Sequence, residues 1–191
     1  LNKNIKNLGG HSLLEWSINA CKKSRFIDQI IVSTDSQNYA EHSLSIGAEV
    51  PFLRPKEISQ DYSTDYEFIS HAIDWFKENQ NVPTYLIHIR PTTPIRDPEL
   101  MDKAIDLFIR NETATSLRSV HKMSESAYKS FEISSNGFLK LLGSDSLELD
   151  SANLPRQKFI DTFTPNGYID VLSVSYIIKN RKIHGNRVIP Y

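Results

Sequence analysis

The sequence predicts an α/β fold, a mostly parallel sheet covered by helices on both faces. Three observations carry that expectation. Strand-like runs alternate with amphipathic helical stripes along most of the chain. The stripes keep helical spacing, as Met101, Ala104, Ile105 and Phe108 do at i, i+3, i+4 and i+7. Polar clusters follow the strand-like runs, at the carboxyl edge where an open α/β sheet holds its ligand.

From Ser12 to about Lys23 the spacing predicts a helix, with Leu14, Ile18 and Cys21 on one face. "QIIVSTD" (Gln29 to Asp35) reads as a β-branched strand with a polar tip. A helix over Gln37 to Ile46 is closed by Gly47, and "AEVPFL" (Ala48 to Leu53) reads as a shorter strand. Asp65 to Asn79 repeats the buried stripe through Ile69, Ala72, Ile73 and Phe76. Thr84 to Ile89 is the next strand. After it Asp97 suits an N-cap, Pro98 the first helical position and Glu99 the positive helix end. "ATSLRSV" (Ala114 to Val120) returns to strand. From Met123 to Phe159 the pattern changes: "FEISSNGFLKLL" reads as a hairpin around Asn136-Gly137, and a polar, irregular stretch follows. This segment reads as an insertion leaving the main sheet. "GYIDVLSVSYI" (Gly167 to Ile177) then looks like a buried strand. The 191 residues fit one domain, 1–191. Its opening on "LNKN" without Met and its strand-like end both read as cuts.

With 39% apolar and 24% charged residues and a formal net charge of −1, nothing points to nucleic acid or an anionic membrane. No run reaches the roughly 18 apolar residues of a membrane span, and no signal-peptide pattern occurs. One cysteine, Cys21, excludes an intramolecular disulfide and suits a reducing compartment, so the cytoplasm is the expectation. The six histidines show no metal-ligand spacing, and His71 reads as a core residue. No GxGxxG or GxxxxGK[ST] loop occurs.

At the strand ends, Asp35, Arg54, Asp65, Arg90, Arg96, Arg156, Gln157 and Asn166 offer groups that suit an anionic, nucleotide-sized ligand. A single surface arginine is more often a solvated charge, about three times in four, since isolated surface pairs contribute little. Composition and spacing therefore reach an α/β protein with an anion-binding edge.

"KNIKNLGGHSLLEWSINA", "IIVSTD", "LRPKEISQD", "IRPTTPIR", "PRQ" and "PNG" occur in order. Together they resemble the bacterial acylneuraminate cytidylyltransferases, the CMP-sialic acid synthetases. The resemblance implies a Rossmann-like nucleotidyltransferase sheet, and an enzyme joining CTP to a nonulosonic acid to give a CMP-sugar and pyrophosphate. It implies that Lys3 is a catalytic residue meeting phosphate and that Asn4 lies at the ribose or phosphate. Arg54 would reach the cytidine side, and Asp65 falls where the family often has a hydroxyl near the nucleotide. Arg90 would touch the ligand on the nucleotide and sugar sides, whereas Arg96 reads as structural. Lys129, Arg156, Gln157, Asn166 and Asp170 would lie near the acidic sugar. Arg90 stands where sialic acid enzymes commonly have Gln, and Asp170 where many carry Tyr. That pairing resembles the branch handling legionaminic-type sugars.

The resemblance further implies Mg²⁺ with its ligands beyond Tyr191, and a homodimer in which residues 123–159 form the dimerisation arm. Two rival readings remain at this point: a nucleotidyltransferase for another acidic sugar or a sugar-1-phosphate, and a non-catalytic binding protein on the same fold.

Overall fold

A computed structural model describes residues 3–191. The chain divides into two compact units, 1–119 with 167–191, and 120–166. In the first, a two-residue ribbon, β1 (Asn7–Leu8) with β2 (His11–Ser12), precedes helix α1 (Leu13–Lys22). Ser12 caps α1 by accepting the Glu15 N–H, and Glu15 answers through the Ser12 N–H. Helices α2 (Gln37–Ser45) and α3 (Asp65–Glu78) follow, then β3 (Tyr85–His88) and α4 (Pro98–Ile109). The expected cap of α4 is present: the Asp97 side chain accepts the Glu99 N–H, with Pro98 in the first turn.

Strand β4 (Ser116–Lys122) leads the chain into the second unit, where β5 (Phe131–Ile133) and β6 (Leu139–Leu141) pair antiparallel. Gly137 takes φ +84° in their connection, as the Asn136-Gly137 signal predicts. Strand β7 (Phe163–Ser173) brings the chain back, followed by α5 (Val174–Asn180) and β8 (Val188–Pro190). The sheet order is β3-β7-β4-β8. β4 and β8 are parallel, whereas β3 and β7 are antiparallel. A parallel neighbour needs a crossover connection, usually a helix, and β7 is reached through residues 120–166 instead.

Helices cover both faces of this sheet, and strand alternation sorts the side chains between them. Ile169 and Val171 of β7 join Ala20, Cys21, Met101, Ala104, Ile105, Phe108 and Leu117 in the α1 and α4 core. Leu172, Ile69, Ile73, Val174 and Ile177 form the α3 and α5 core, with Leu86 against it. Asp102, 4% exposed, joins α4 to the end of α1 by accepting from Ser24 Oγ at 2.5 Å and Arg25 Nε at 3.0 Å.

Two sequence expectations are corrected. Gln29 to Asp35 and Ala48 to Leu53 do not form full strands. They meet in one parallel bridge, Ile31 with Glu49, extended by Val32 N–H to Glu49 O and Arg54 N–H to Thr34 O. Gly167 to Ile177 is not one strand. Ser173 accepts the Tyr176 N–H and converts the run to helix at Val174, a local capping choice that overrides β-branched composition.

Candidate active site

The site is built on the α3 and α5 side of the sheet. In the β3–β7 register His88 lies opposite Asp170, on the face that carries Leu86 and Leu172 toward α3 and α5. Asp170 is 1% exposed. A buried carboxylate needs cationic or hydrogen-bonded partners. Arg90, just past the carboxyl end of β3, supplies one: its Nη1 donates to Asp170 Oδ2 at 2.8 Å, and its Nη2 donates to Asp65 Oδ2 at 2.5 Å. Asp65 is the first residue of α3 and reaches Arg90 from that helix end. Arg118, on β4, brings its Nε to 3.6 Å from Asp170 Oδ1.

The cluster continues along α3. The His88 ring meets the Phe68 ring edge-on, with 5.3 Å between centroids, and the Arg54 guanidinium lies 5.5 Å from the Phe68 ring centroid. Arg54 Nε donates to Ser59 Oγ at 2.9 Å, while Nη2 stands 3.9 Å from Asp35 Oδ1. The structure thus brings together Asp35, Arg54, Asp65, Arg90 and Asp170. Arg96 is indeed structural. Only 8% exposed, it donates to the Tyr168, Arg90 and Gly167 carbonyls at 2.7, 2.7 and 3.1 Å, and to Ser17 Oγ at 3.1 Å.

Electrostatics follow from burial. Burial, reinforced by Arg90, lowers the His88 pKa to about 4, against the opposing pull of Asp65 and Asp170. For Arg90, burial pulls downward, but its hydrogen bond to Asp170 and the Asp170 and Asp65 charges outweigh it, leaving the guanidinium above its ordinary value. Burial drops Arg96 to about 10 and lifts Cys21 to about 11, so the thiol is inert packing.

A pH signature follows. Unfolded His88 binds a proton near its ordinary value of 6.5, whereas folded His88 stays neutral down to about 4. The unfolded state therefore binds more protons in that window, and stability falls as pH drops through it. Urea unfolding of the wild type should lose about 2 kcal/mol from this group between pH 7 and pH 5. His88→Gln should flatten the pH slope by that amount; an unchanged slope refutes the assignment.

Other expected residues lie elsewhere. Lys3 opens the 3-10 turn Lys3–Ile5 and is exposed; Asn4 Oδ1 is buried without a hydrogen-bond partner among the described residues. Lys129, Arg156, Gln157 and Asn166 belong to the second unit. There Lys129 Nζ donates to Leu154 O at 3.3 Å and lies 5.8 Å from the Phe159 ring. Arg156 and Gln157 share an exposed 3-10 turn, Arg156–Lys158. His88, Arg118 and His184 escaped the sequence reading. Arg118 carried a signal: a charge between Leu117 and Ser119, both almost fully buried, asks for a buried partner.

Among the described residues no group of three or more His, Cys, Asp or Glu side chains is placed to hold a metal ion. No helix among them is long and apolar enough to cross a membrane.

Comparison with known proteins identifies the family. The chain is 30% identical to a CMP-N,N'-diacetyllegionaminic acid synthase of Legionella pneumophila, over 98% of this chain and 78% of that protein. It is 25% identical to an N-acylneuraminate cytidylyltransferase of Escherichia coli, over 100% of this chain and 43% of that protein. A pseudaminic acid cytidylyltransferase of Campylobacter jejuni matches at 27% identity over 58% of this chain and 48% of that protein. The chain thus spans under half the length of the last two relatives. A solved structure of CMP:2-keto-3-deoxy-manno-octonic acid synthetase complexed with CTP superposes with a TM-score of 0.63. It covers 94% of this chain and 70% of that one at 11% identity, which shows the Rossmann-like fold alone. A cytidylyltransferase family model matches residues 1–138, and with the 30% identical relative this shows that the chain belongs to the cytidylyltransferase family.

Proposed function

We propose that this protein transfers a cytidylyl group from CTP to a nonulosonic acid of legionaminic type, giving a CMP-sugar and pyrophosphate. The reading is carried by the Asp65–Arg90–Asp170 cluster. It occupies three positions where sialic acid enzymes commonly have a hydroxyl, Gln and Tyr. The name and similarity of the Legionella relative support the legionaminic type, and the Campylobacter relative supports the wider class of sugar acids activated by a cytidylyltransferase.

In this reading the anomeric hydroxyl of the sugar attacks the α-phosphate of CTP, and pyrophosphate leaves. The protein's share is positioning and charge neutralisation. Arg54, held by Ser59 and the Phe68 ring, meets the nucleotide, with Asn4 Oδ1 as an orphan acceptor near the chain start. Lys3 meets phosphate as the catalytic cation. Arg90 meets the sugar through guanidinium hydrogens that Asp65 and Asp170 leave free, since two of its five donors are taken. Arg90 and Arg118 are balanced by Asp65 and Asp170, so this end of the site recognises neutral hydrogen-bonding substituents.

Mg²⁺ is the cofactor of this reading, expected to neutralise the phosphates. The described residues do not build its site: Asp65 and Asp170 are committed to a guanidinium, and no metal-holding group is present among them. A homodimer is supported by the apolar surface of the second unit, where Ile133, Phe138 and Leu142 are 74%, 64% and 53% exposed. A two-stranded hairpin cannot bury such a surface by itself. The lone cysteine suits the cytoplasm.

The test follows pyrophosphate release by the intact gene product with CTP and Mg²⁺. The panel is N-acetylneuraminic, legionaminic, pseudaminic and deoxy-octulosonic acids. Fastest release with legionaminic acid is expected. Preference for N-acetylneuraminic acid would remove the role given to the arginine cluster, and no release with any acid would remove the activity.

A further inference from the structure

Behind Asp170 stands a pair that no substrate contact explains. Arg118 Nη1 lies 3.0 Å from His184 Nε2, and Arg118 Nε faces Asp170 Oδ1 at 3.6 Å. That Nε is buried and has no hydrogen-bond partner among the described residues. Arginine only donates, so His184 Nε2 must accept, and the imidazole proton sits on Nδ1. Nδ1 lies 3.5 Å from Ser116 Oγ, which donates to the His184 carbonyl at 2.9 Å and keeps its lone pairs for the ring.

The backbone at this point is held more tightly than a surface loop requires. The His184 carbonyl also accepts from Thr115 Oγ1 at 2.6 Å. The next residue, Gly185, has φ +77°, and a Cβ there would stand 2.6 Å from both Thr115 Oγ1 and a Tyr176 ring carbon. A side chain there would have to displace Thr115 or the Tyr176 ring, and the positive φ would strain it as well. The loop before β8 thus presents one imidazole in one tautomer to one guanidinium.

We infer that His184 is a positioning residue: it holds Arg118 against one oxygen of Asp170, so that the other oxygen fixes Arg90 for the sugar. The inference rests on the function proposed above. Asp170 has two oxygens and two arginines, with Arg90 on Oδ2 and Arg118 on Oδ1. Releasing Arg118 leaves Oδ1 unpartnered in a residue 1% exposed, and the carboxylate then turns to recover a partner. Arg90 turns with it. Protonated His184 would set a second cation against Arg118; Arg90 is the further cation, and Asp170 and Asp65 the carboxylates, that act on the ring.

The test compares His184→Leu and His184→Gln in the intact protein, since the Gln carbonyl oxygen also accepts from Arg118. His184→Leu should raise KM for the preferred sugar acid about tenfold while KM for CTP stays within twofold. His184→Gln should stay within about threefold of wild type on both. Equal losses in the two variants, or no change in either, overturn the inference. Should His184→Leu fail to fold, nitrogen-15 shifts of the wild-type imidazole decide. A neutral ring protonated on Nδ1 between pH 6 and 8 supports the relay, and a ring protonated on Nε2 ends it. A wild type inactive on every acid of the panel overturns the proposed function instead, and the positioning role with it.

Discussion

Arg96→Met is expected to lower stability by about 3–5 kcal/mol, a larger loss than any other single change on this face of the fold should cause. Arg96 has no carboxylate partner among the described residues. It spends its donors on three backbone carbonyls, of Arg90, Gly167 and Tyr168, and on the Ser17 hydroxyl. Methionine matches the stem but donates nothing. The Arg90 carbonyl keeps the Thr93 N–H at 3.1 Å, so the loss falls mainly on the Gly167 and Tyr168 carbonyls. A buried carbonyl left without a donor costs about 1–3 kcal/mol. The relief of no longer burying a cation, whose pKa is pulled down to about 10, offsets part of the total. For a chain of this length the melting temperature should fall by about 10 °C. Thermal unfolding followed by circular dichroism measures it. A fall under about 2 °C would show that water replaces the guanidinium at those carbonyls. Because one of them belongs to Arg90, the surviving variant should also bind the sugar acid more weakly.

What was legible in the sequence tracks the range of the interactions. The helices read well because their signals are local: Ser12 with Glu15 before α1, Asp97 with Pro98 before α4, and the Ile69, Ile73 and Phe76 stripe of α3. The strand at Gln29 to Asp35 read too strongly. β-branched composition gives the tendency to extend, whereas a strand needs ladder partners along its length, and here one bridge is formed. The Val174 boundary was missed because Ser173 makes a helix start out of a side-chain hydrogen bond, which an apolar run conceals.

The site divides in the same way. Arg54, Asp65, Arg90 and Asp170 were each singled out, but as separate ligand contacts. That Arg90 and Asp170 bond to each other, across 80 residues, is a consequence of the β3–β7 register and has no local trace. An Asp between Ile169 and Val171 did carry a hint: a lone charge in a buried strand must have a partner. The partner's identity required the sheet. His184 lies in a loop 66 residues from Arg118 and had no signal beyond its residue type.

The pairing makes a prediction that separate contacts do not. Asp170→Asn keeps the shape of the side chain but leaves Arg90 and Arg118 facing a neutral amide, and should cost about 3 kcal/mol of stability. Arg90→Gln leaves Asp170 with Arg118 at 3.6 Å and the His88 ring at 3.7 Å, and should cost about 2 kcal/mol. The double variant removes both ends of the Arg90–Asp170 bond, so neither end of that bond strands the other, although Arg118 still faces a neutral amide and Asp65 loses its guanidinium. Its loss should fall short of the sum by about 2 kcal/mol, a coupling in the range found for residues in direct contact. Catalysis should respond differently. If Arg90 donates to the sugar, each single variant and the double variant should lose about 100-fold in kcat/KM for the preferred acid, because restoring the fold does not restore the donor. Urea unfolding and steady-state kinetics on the four proteins separate the two effects. Additive stability losses would mean that Asp170 holds Arg90 weakly. A double variant that regains activity along with stability would mean that Arg90 serves the fold and that another group meets the sugar.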